Sequence, residues 1–266
     1  MSDFLQIMAN ASAARAAAIN KTFSSADFDK PIVPLSLGDF DVIAEIKERS
    51  PAEGDLTPGG IDRSACARAY ASGGAVAISV LTEPSRFDGD ISHLAEVVAA
   101  VPGTPVMRED FLVEPVQILE ARKAGASGVL LITTMLSDSK LREMLDCAWE
   151  HDLFVLLESF NEEDLQRSSA LLLNNTNKER AEIGQLLIGV NSRNLRTLEV
   201  DPKRLQNLAE LLPAARCVAE SGLSEANDAA RVAALGYRMA LVGTALMRSN
   251  NPKELIAAMR KAGATT

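Results

Sequence analysis

"PVMREDFLVEPVQILEARKAGASGVLLI", residues Pro105 to Ile132, sets two short apolar runs on either side of a polar, Ala-rich stretch that closes at Gly125. The runs have the length of strands and the stretch between them has the composition of a helix. Gly125 stands where a helix C-terminus favours a left-handed residue. The unit therefore reads as strand, helix, strand, with the two strands parallel. The same alternation recurs along the chain. Strand candidates begin at Val42, at Ala75 in "AVAISVL", at Pro105, at Gly128 and at Leu153 in "LFVLLES". Three more follow at Leu186 in "LLIGVNSRN", at Arg216 in "RCVAESG" and at Met239 in "MALVGTAL". Gly73-Gly74 and Gly236 repeat the glycine stop before a strand, and Asn251-Pro252-Lys253-Glu254 supplies an N-cap, a first-turn Pro and a third-position Glu for a last helix. Eight parallel βα units are the arithmetic of a (β/α)8 TIM barrel, α/β in class. A doubly wound open sheet has the same periodicity and stays open at this point.

The Ala-rich segment from Met1 to about Asn20 is helical in composition and precedes the first strand. The expected organisation is thus one (β/α)8 barrel domain over residues 1–266, with residues 1–40 a helical N-terminal extension and 41–266 the barrel. Hydrophobic residues make up 47% of the 266-residue chain and aromatic ones 4%, which suits the branched aliphatic packing of parallel strands under helices. A formal charge of −9 argues against nucleic acid and anionic membrane as partners, because both require a basic footprint. Any anionic ligand must be held locally, against the field of the whole molecule. Cys66, Cys147 and Cys217 are scattered and odd in number, so they read as reduced core residues of a cytoplasmic protein. No apolar run has the length of a membrane span. His93 and His151 are the only histidines, and neither stands in a triad or metal-ligand spacing. Monomer and homodimer are both compatible with the sequence.

The first strand carries an anomaly. In "VIAEIKERSPAEG", Val42 to Gly54, side-chain alternation puts Ile43, Glu45 and Lys47 on one face and Val42, Ala44 and Ile46 on the other. A surface ion pair would explain Glu45 and Lys47 taken alone. Polar groups recur, however, at the C-terminal ends of other strands: Arg108 to Asp110, Glu158 and Ser159, Asn191 and Arg193, Glu220 and Ser221. Active sites of such barrels lie at that end, and so many polar groups at one mouth would be costly without something to bind. Gly222 and Gly243 directly follow the last two strands, and Gly243-Thr244-Ala245-Leu246 reads as the start of a short helix. Ordinary turns would also use such glycines. On adjacent strands, with Lys47 beside them in a closed barrel, they suit a phosphate.

With these residues in hand, the chain resembles the indole-3-glycerol phosphate synthase family of tryptophan biosynthesis. "AEIKERSP" is similar to the strand-1 signature and "LTEPSRFDGD" to the second βα loop. The opening stretch matches the third and fourth units, "IGVNSRNLRTLEVD" the sixth, and "VAESG" with "LVGTALM" the phosphate end. The likeness runs in order from Asp41 onward. It implies a carboxy-lyase without a cofactor or metal, acting on a phosphorylated small molecule, 1-(2-carboxyphenylamino)-1-deoxyribulose 5-phosphate. It further implies Glu45, Glu158 and Glu220 as site carboxylates, Glu158 being the main acid/base partner. Lys47, Ser221, Gly222, Gly243 and Thr244 would hold phosphate, Arg193 the substrate carboxylate, and Asn191 the hydroxyls. Ser50 would be a further substrate contact, and Phe87 would wall the aromatic ring or simply anchor its loop.

One position departs from the resemblance. Where the family has Arg-Lys-Asp-Phe, with the Lys as general acid, this chain has Arg108-Glu109-Asp110-Phe111. An ionised Glu109 would repel an anionic substrate. A Glu109 kept neutral by crowding and low dielectric would still donate a proton. A third reading is a paralogous lyase or cyclase acting on a related phosphorylated amino-sugar, and a fourth, ranked last, is a non-catalytic barrel that binds a sugar phosphate. Glu53 makes the first loop more acidic than in many relatives. The polar segment "LLLNNTNKERAEIGQ" before strand 6 reads as a surface insertion.

Overall fold

The computed structural model describes residues 3–194 and 197–265. Eight parallel strands close on themselves: β1 Asp41–Ile46, β2 Ala77–Leu81, β3 Val106–Glu109, β4 Gly128–Ile132, β5 Phe154–Ser159, β6 Leu186–Asn191, β7 Arg216–Glu220 and β8 Met239–Val242. β1 pairs with β8 as well as β2, so the open-sheet alternative is excluded and the fold is a (β/α)8 barrel. The strands are almost wholly buried, because the helices cover their outer face and side chains fill the inside.

The turn chemistry follows the glycines. Gly74, Gly125 and Gly236 have φ of 85°, 101° and 101°, a region closed to most side chains, and each ends a helix just before a strand. Gly73 itself is right-handed, so the helix stop of that pair is Gly74. Asn251 caps the last helix, Pro252–Ala264, by accepting from the backbone N–H of Glu254.

The N-terminal helix, Asp3–Ala18, buries Leu5, Met8, Ser12 and Ala16 against the barrel. Its position is fixed by polar contacts as well. Arg15 donates to Asp110 at 2.6 Å and lies 3.5 Å from Glu83, and Gln117 donates to Ser12 Oγ at 2.8 Å. The polar insertion before β6 is more than a loose loop. It folds into a helix, Asn175–Glu182, whose buried side carries Asn177 and Ala181, and Asn177 accepts from the indole N–H of Trp149 at 3.2 Å. The sequence hides this because only that one narrow side is packed while the remaining positions are polar.

Candidate active site

The cavity at the C-terminal end of the barrel encloses about 780 Å³, counting its open mouth, a size suited to a small ligand. Strand register sets its polar layer. Glu45 on β1 stands opposite Ser79 on β2, Leu81 opposite Glu109 on β3, and Ile132 opposite Glu158 on β5. Asn191 on β6 stands opposite Glu220 on β7. Glu45, Glu158 and Glu220 are 3%, 5% and 2% exposed, so their carboxyls leave bulk water and face only the cavity. The backbone makes room for them at two glycines. A Cβ at Gly189 would collide with the Glu220 carboxyl, and one at Gly243 with that of Glu45.

Among the described residues one lysine, Lys47, enters this layer. Lys47 Nζ donates to Glu45 Oε2 at 2.7 Å, both being largely buried. Asn191 Nδ2 donates to Glu158 Oε1. Ser79 Oγ donates to Glu109 Oε2 at 2.6 Å. One oxygen of Glu220, Oε1, is buried without a hydrogen-bond partner. Burial, which disfavours the charged form, is the main force on the carboxyls. It pushes Glu158 up to about 7, against hydrogen bonds that pull the other way. Glu220 is raised well above the usual carboxylate range by burial and then by the charge of Glu158. Glu109 is likewise raised well above it, by burial first and then by the charge of Glu45; Lys47 and the Ser79 hydroxyl oppose the shift without reversing it, and Glu158 adds to it.

Much of the remaining lining is apolar. Phe4, Phe87, Phe111 and Phe160 belong to it together with Leu81, Leu130, Ile132, Leu198 and Leu241. Phe4 meets Phe111 edge-on at 5.9 Å, and Phe87 lies tilted against Phe111 at 6.1 Å. Such a wall suits a planar aromatic group, and the carboxyl layer suits the part of a ligand that exchanges protons.

Ser50, Phe87, Arg193 and Ser221 also face the cavity. Arg193 is steadied by donating to the carbonyl of Leu198 at 2.6 Å. Ser221 and Gly222 follow β7 with φ of 66° and 73°, an unusual conformation for Ser221 that turns successive backbone groups at the mouth. Gly222, Gly243 and Thr244 are not among the residues that line this cavity; Gly222 follows Ser221, Gly243 follows β8, and Thr244 opens the short helix Thr244–Arg248. Arg108 belongs elsewhere: it points outward to Thr82, the Gln117 carbonyl, Glu120 and Asp110. In the first loop, Glu53 pairs with Arg248 at 3.0 Å, which ties that loop to the short helix after the neighbouring strand β8.

Two residues of the site escape a reading of the sequence. Ser79 had a signal, being the polar residue on the inward face of "AISVL", two positions before Leu81. Phe4 had none, since a helix far from the barrel strands in sequence offers no local hint that its first turn reaches the cavity.

A closed (β/α)8 barrel with buried carboxyls, one lysine and an aromatic wall at its C-terminal mouth defines a barrel enzyme of acid–base chemistry. The chain belongs to the indole-3-glycerol phosphate synthase family, whose model matches residues 6–259. It is 43% identical over 240 residues to the indole-3-glycerol phosphate synthase of a Nocardioides species, covering 88% of this chain and 86% of that protein. It is also 43% identical over 227 residues to that of Paenarthrobacter aurescens, covering 85% and 78%. Among solved structures, 3-hexulose-6-phosphate synthase from Salmonella typhimurium superposes with a TM-score of 0.64 over 85% of this chain and 99% of that one, at 15% identity. That likeness concerns the barrel fold.

Proposed function

We propose that this cavity closes 1-(2-carboxyphenylamino)-1-deoxyribulose 5-phosphate to indole-3-glycerol phosphate, with loss of carbon dioxide and water. The observation that carries the reading is the pairing of an aromatic wall with a buried carboxyl layer in one barrel mouth. The substrate has the same two halves, an aminobenzoate ring and a ketose whose carbonyl must be protonated.

Ring closure joins the ring carbon bearing the carboxylate to the ribulose carbonyl carbon, and the carbonyl π pair moves to oxygen. Phe4, Phe87 and Phe111 hold the ring so that this carbon faces the carbonyl, which removes the entropy of finding that arrangement. Arg193 receives the ring carboxylate. Carbon dioxide then leaves and its bonding pair restores the aromatic ring. The remaining hydroxyl departs as water when an acid protonates it and a base removes a proton from the adjacent methylene. Glu158 is suited to both directions of transfer because its pKa lies near 7. Asn191 orients it, and Glu220 stands beside it as a second proton store. Lys47, held by Glu45, takes the phosphate in this reading, together with Ser50, Ser221, Gly222, Gly243 and Thr244, which follow β1, β7 and β8 in the chain. A phosphorylated substrate in so acidic a protein has to rely on these local donors. The described residues contain no helix long and apolar enough to cross a membrane, in keeping with cytoplasmic work on a soluble substrate.

The test is to mix the purified protein with the carboxyphenylamino-deoxyribulose phosphate and follow indole fluorescence, with Glu158→Gln as control. Turnover that falls by about 100-fold or more in the control is the expected result. Absence of turnover with phosphate-ligand binding intact would redirect the site to another phosphorylated amino-sugar.

A further inference from the structure

Ring closure needs a proton at the carbonyl oxygen; Glu158 and Glu220 serve the later proton transfers, which leaves the other polar groups of the layer. Lys47 is engaged with Glu45 at 2.7 Å. The Arg193 guanidinium is bonded to the Leu198 carbonyl. Asn191 is bonded to Glu158. Glu109 differs from all of these. Its Oε2 is occupied by the Ser79 hydroxyl at 2.6 Å, it forms no ion pair among the described residues, and it lines the cavity.

The charged groups that act most on Glu109 lie on or next to three other strands. Glu45 and Lys47 face it from β1, Glu158 from β5 and Glu220 from β7. Lys47 is the one cation in this set, and its charge is already matched by Glu45. Asp110, the next residue, is neutralised by Arg15 and Arg108. A carboxylate in the position of Glu109 would therefore sit among other carboxyls with no cation of its own. A carboxylic acid there meets no such cost and has a proton to give to a ligand in the cavity.

We propose that Glu109 is a catalytic acid, kept neutral in the resting site, that protonates the carbonyl oxygen during ring closure, and that Ser79 is the positioning residue that fixes its carboxyl. The proposal rests on the synthase reading above. As the carbon–carbon bond forms, the carbonyl π bond breaks, its electron pair takes the Glu109 proton, and Glu109 is left as a carboxylate. Release of carbon dioxide from the ring carboxylate makes the whole reaction consume one proton. Water supplies that proton through the open mouth and returns Glu109 to its neutral form. Substrate approach favours the same state, since the anionic ring carboxylate repels an ionised Glu109.

The test combines the full-length enzyme with three variants, Glu109→Gln, Ser79→Ala and Ser79→Thr. In the wild type, infrared spectroscopy at pH 7 should show a protonated carboxyl band that is missing in Glu109→Gln. Indole formation by Glu109→Gln should fall by about 100-fold or more in kcat, with KM changed by no more than about threefold, because glutamine keeps the shape and cannot give a proton. Ser79→Ala should move the alkaline limb of the pH–rate profile, and Ser79→Thr should restore it. A Glu109→Gln enzyme that keeps pace with the wild type overturns the acid and leaves the synthase reading standing. A wild-type spectrum without the Glu109 band overturns the neutral resting state, and with it the proposal. A wild type that makes no indole removes the synthase reading, and the acid falls with it.

Discussion

Glu109 and Asp110 are neighbours in the chain and chemically alike, yet strand alternation sends them into opposite environments. Asp110 is buried in a finished polar network. It accepts from Arg15 at 2.6 Å, from Thr82 at 2.8 Å, from Arg108 at 3.2 Å and from the Phe111 backbone N–H at 2.8 Å. Glu109 has one neutral donor and a cavity. The first carboxylate is compensated and holds the N-terminal helix to the third strand. The second is left without a cation, which is useful only to a group whose proton is to be moved. Burial alone therefore does not mark a working carboxyl; burial without compensation does.

The comparison breaks if both kinds of carboxyl respond alike to neutralisation. Asp110→Asn removes the charge from a buried network and leaves Arg108 and Arg15 short of a partner, so it should cost about 3 kcal/mol of stability at neutral pH. Urea unfolding would measure it. Glu158→Gln should do the reverse. A carboxyl moved from an ordinary 4.5 to about 7 on folding binds its proton more tightly in the native state. Its contribution to stability is then complete below about pH 4.5 and is lost as the pH climbs through about 7. Removing that titration should stabilise the protein by about 3 kcal/mol at pH 8 and by almost nothing near pH 4. Unfolding curves at the two pH values give the difference directly, and a gain that is equal at both would contradict the assignment. The same variant is expected to lose its synthase activity, a trade of function for stability at a single atom pair.

Much of this arrangement was legible in the sequence, for a physical reason. Alternation along β1, β5 and β7 forces Glu45, Glu158 and Glu220 inward, and the C-terminal ends of barrel strands meet at one mouth whatever the loops do. The glycines at 125 and 236 were legible because a left-handed backbone excludes most side chains. What stayed hidden depends on contacts distant in the chain. Arg108, grouped in the sequence with the mouth residues, turns out to face outward, since it alternates with Glu109. The close fit of Gly243 against Glu45 spans the barrel's closing seam, so the glycine reads as an anion turn until the strands are joined. Its lack of a side chain serves the carboxyl layer at least as directly as it serves phosphate. Gly243→Ala should therefore disturb the Glu45–Lys47 pair, lowering kcat as well as weakening phosphate binding, and steady-state kinetics would separate the two effects. A change confined to KM would return Gly243 to the phosphate role alone.

The smallest expected effect concerns the N-terminal helix, where the comparison can be sharpened most. Arg15 is partly exposed, so its pair with Asp110 is screened on one side and Asp110 keeps Arg108 when it is lost. Arg15→Ala should cost about 1 kcal/mol at most. Yet the helix also carries Phe4 into the cavity against Phe111, and a helix freed at Arg15 positions that ring less well. The prediction is a rise in KM of a few fold with kcat nearly unchanged, because Phe87 and Phe111 still orient the ring and what is lost is the contact of Phe4, made in ground state and transition state alike. If kcat falls instead while KM holds, the Arg15–Asp110 contact reaches the neighbouring Glu109, and the two carboxyls, separate by geometry, are coupled in function.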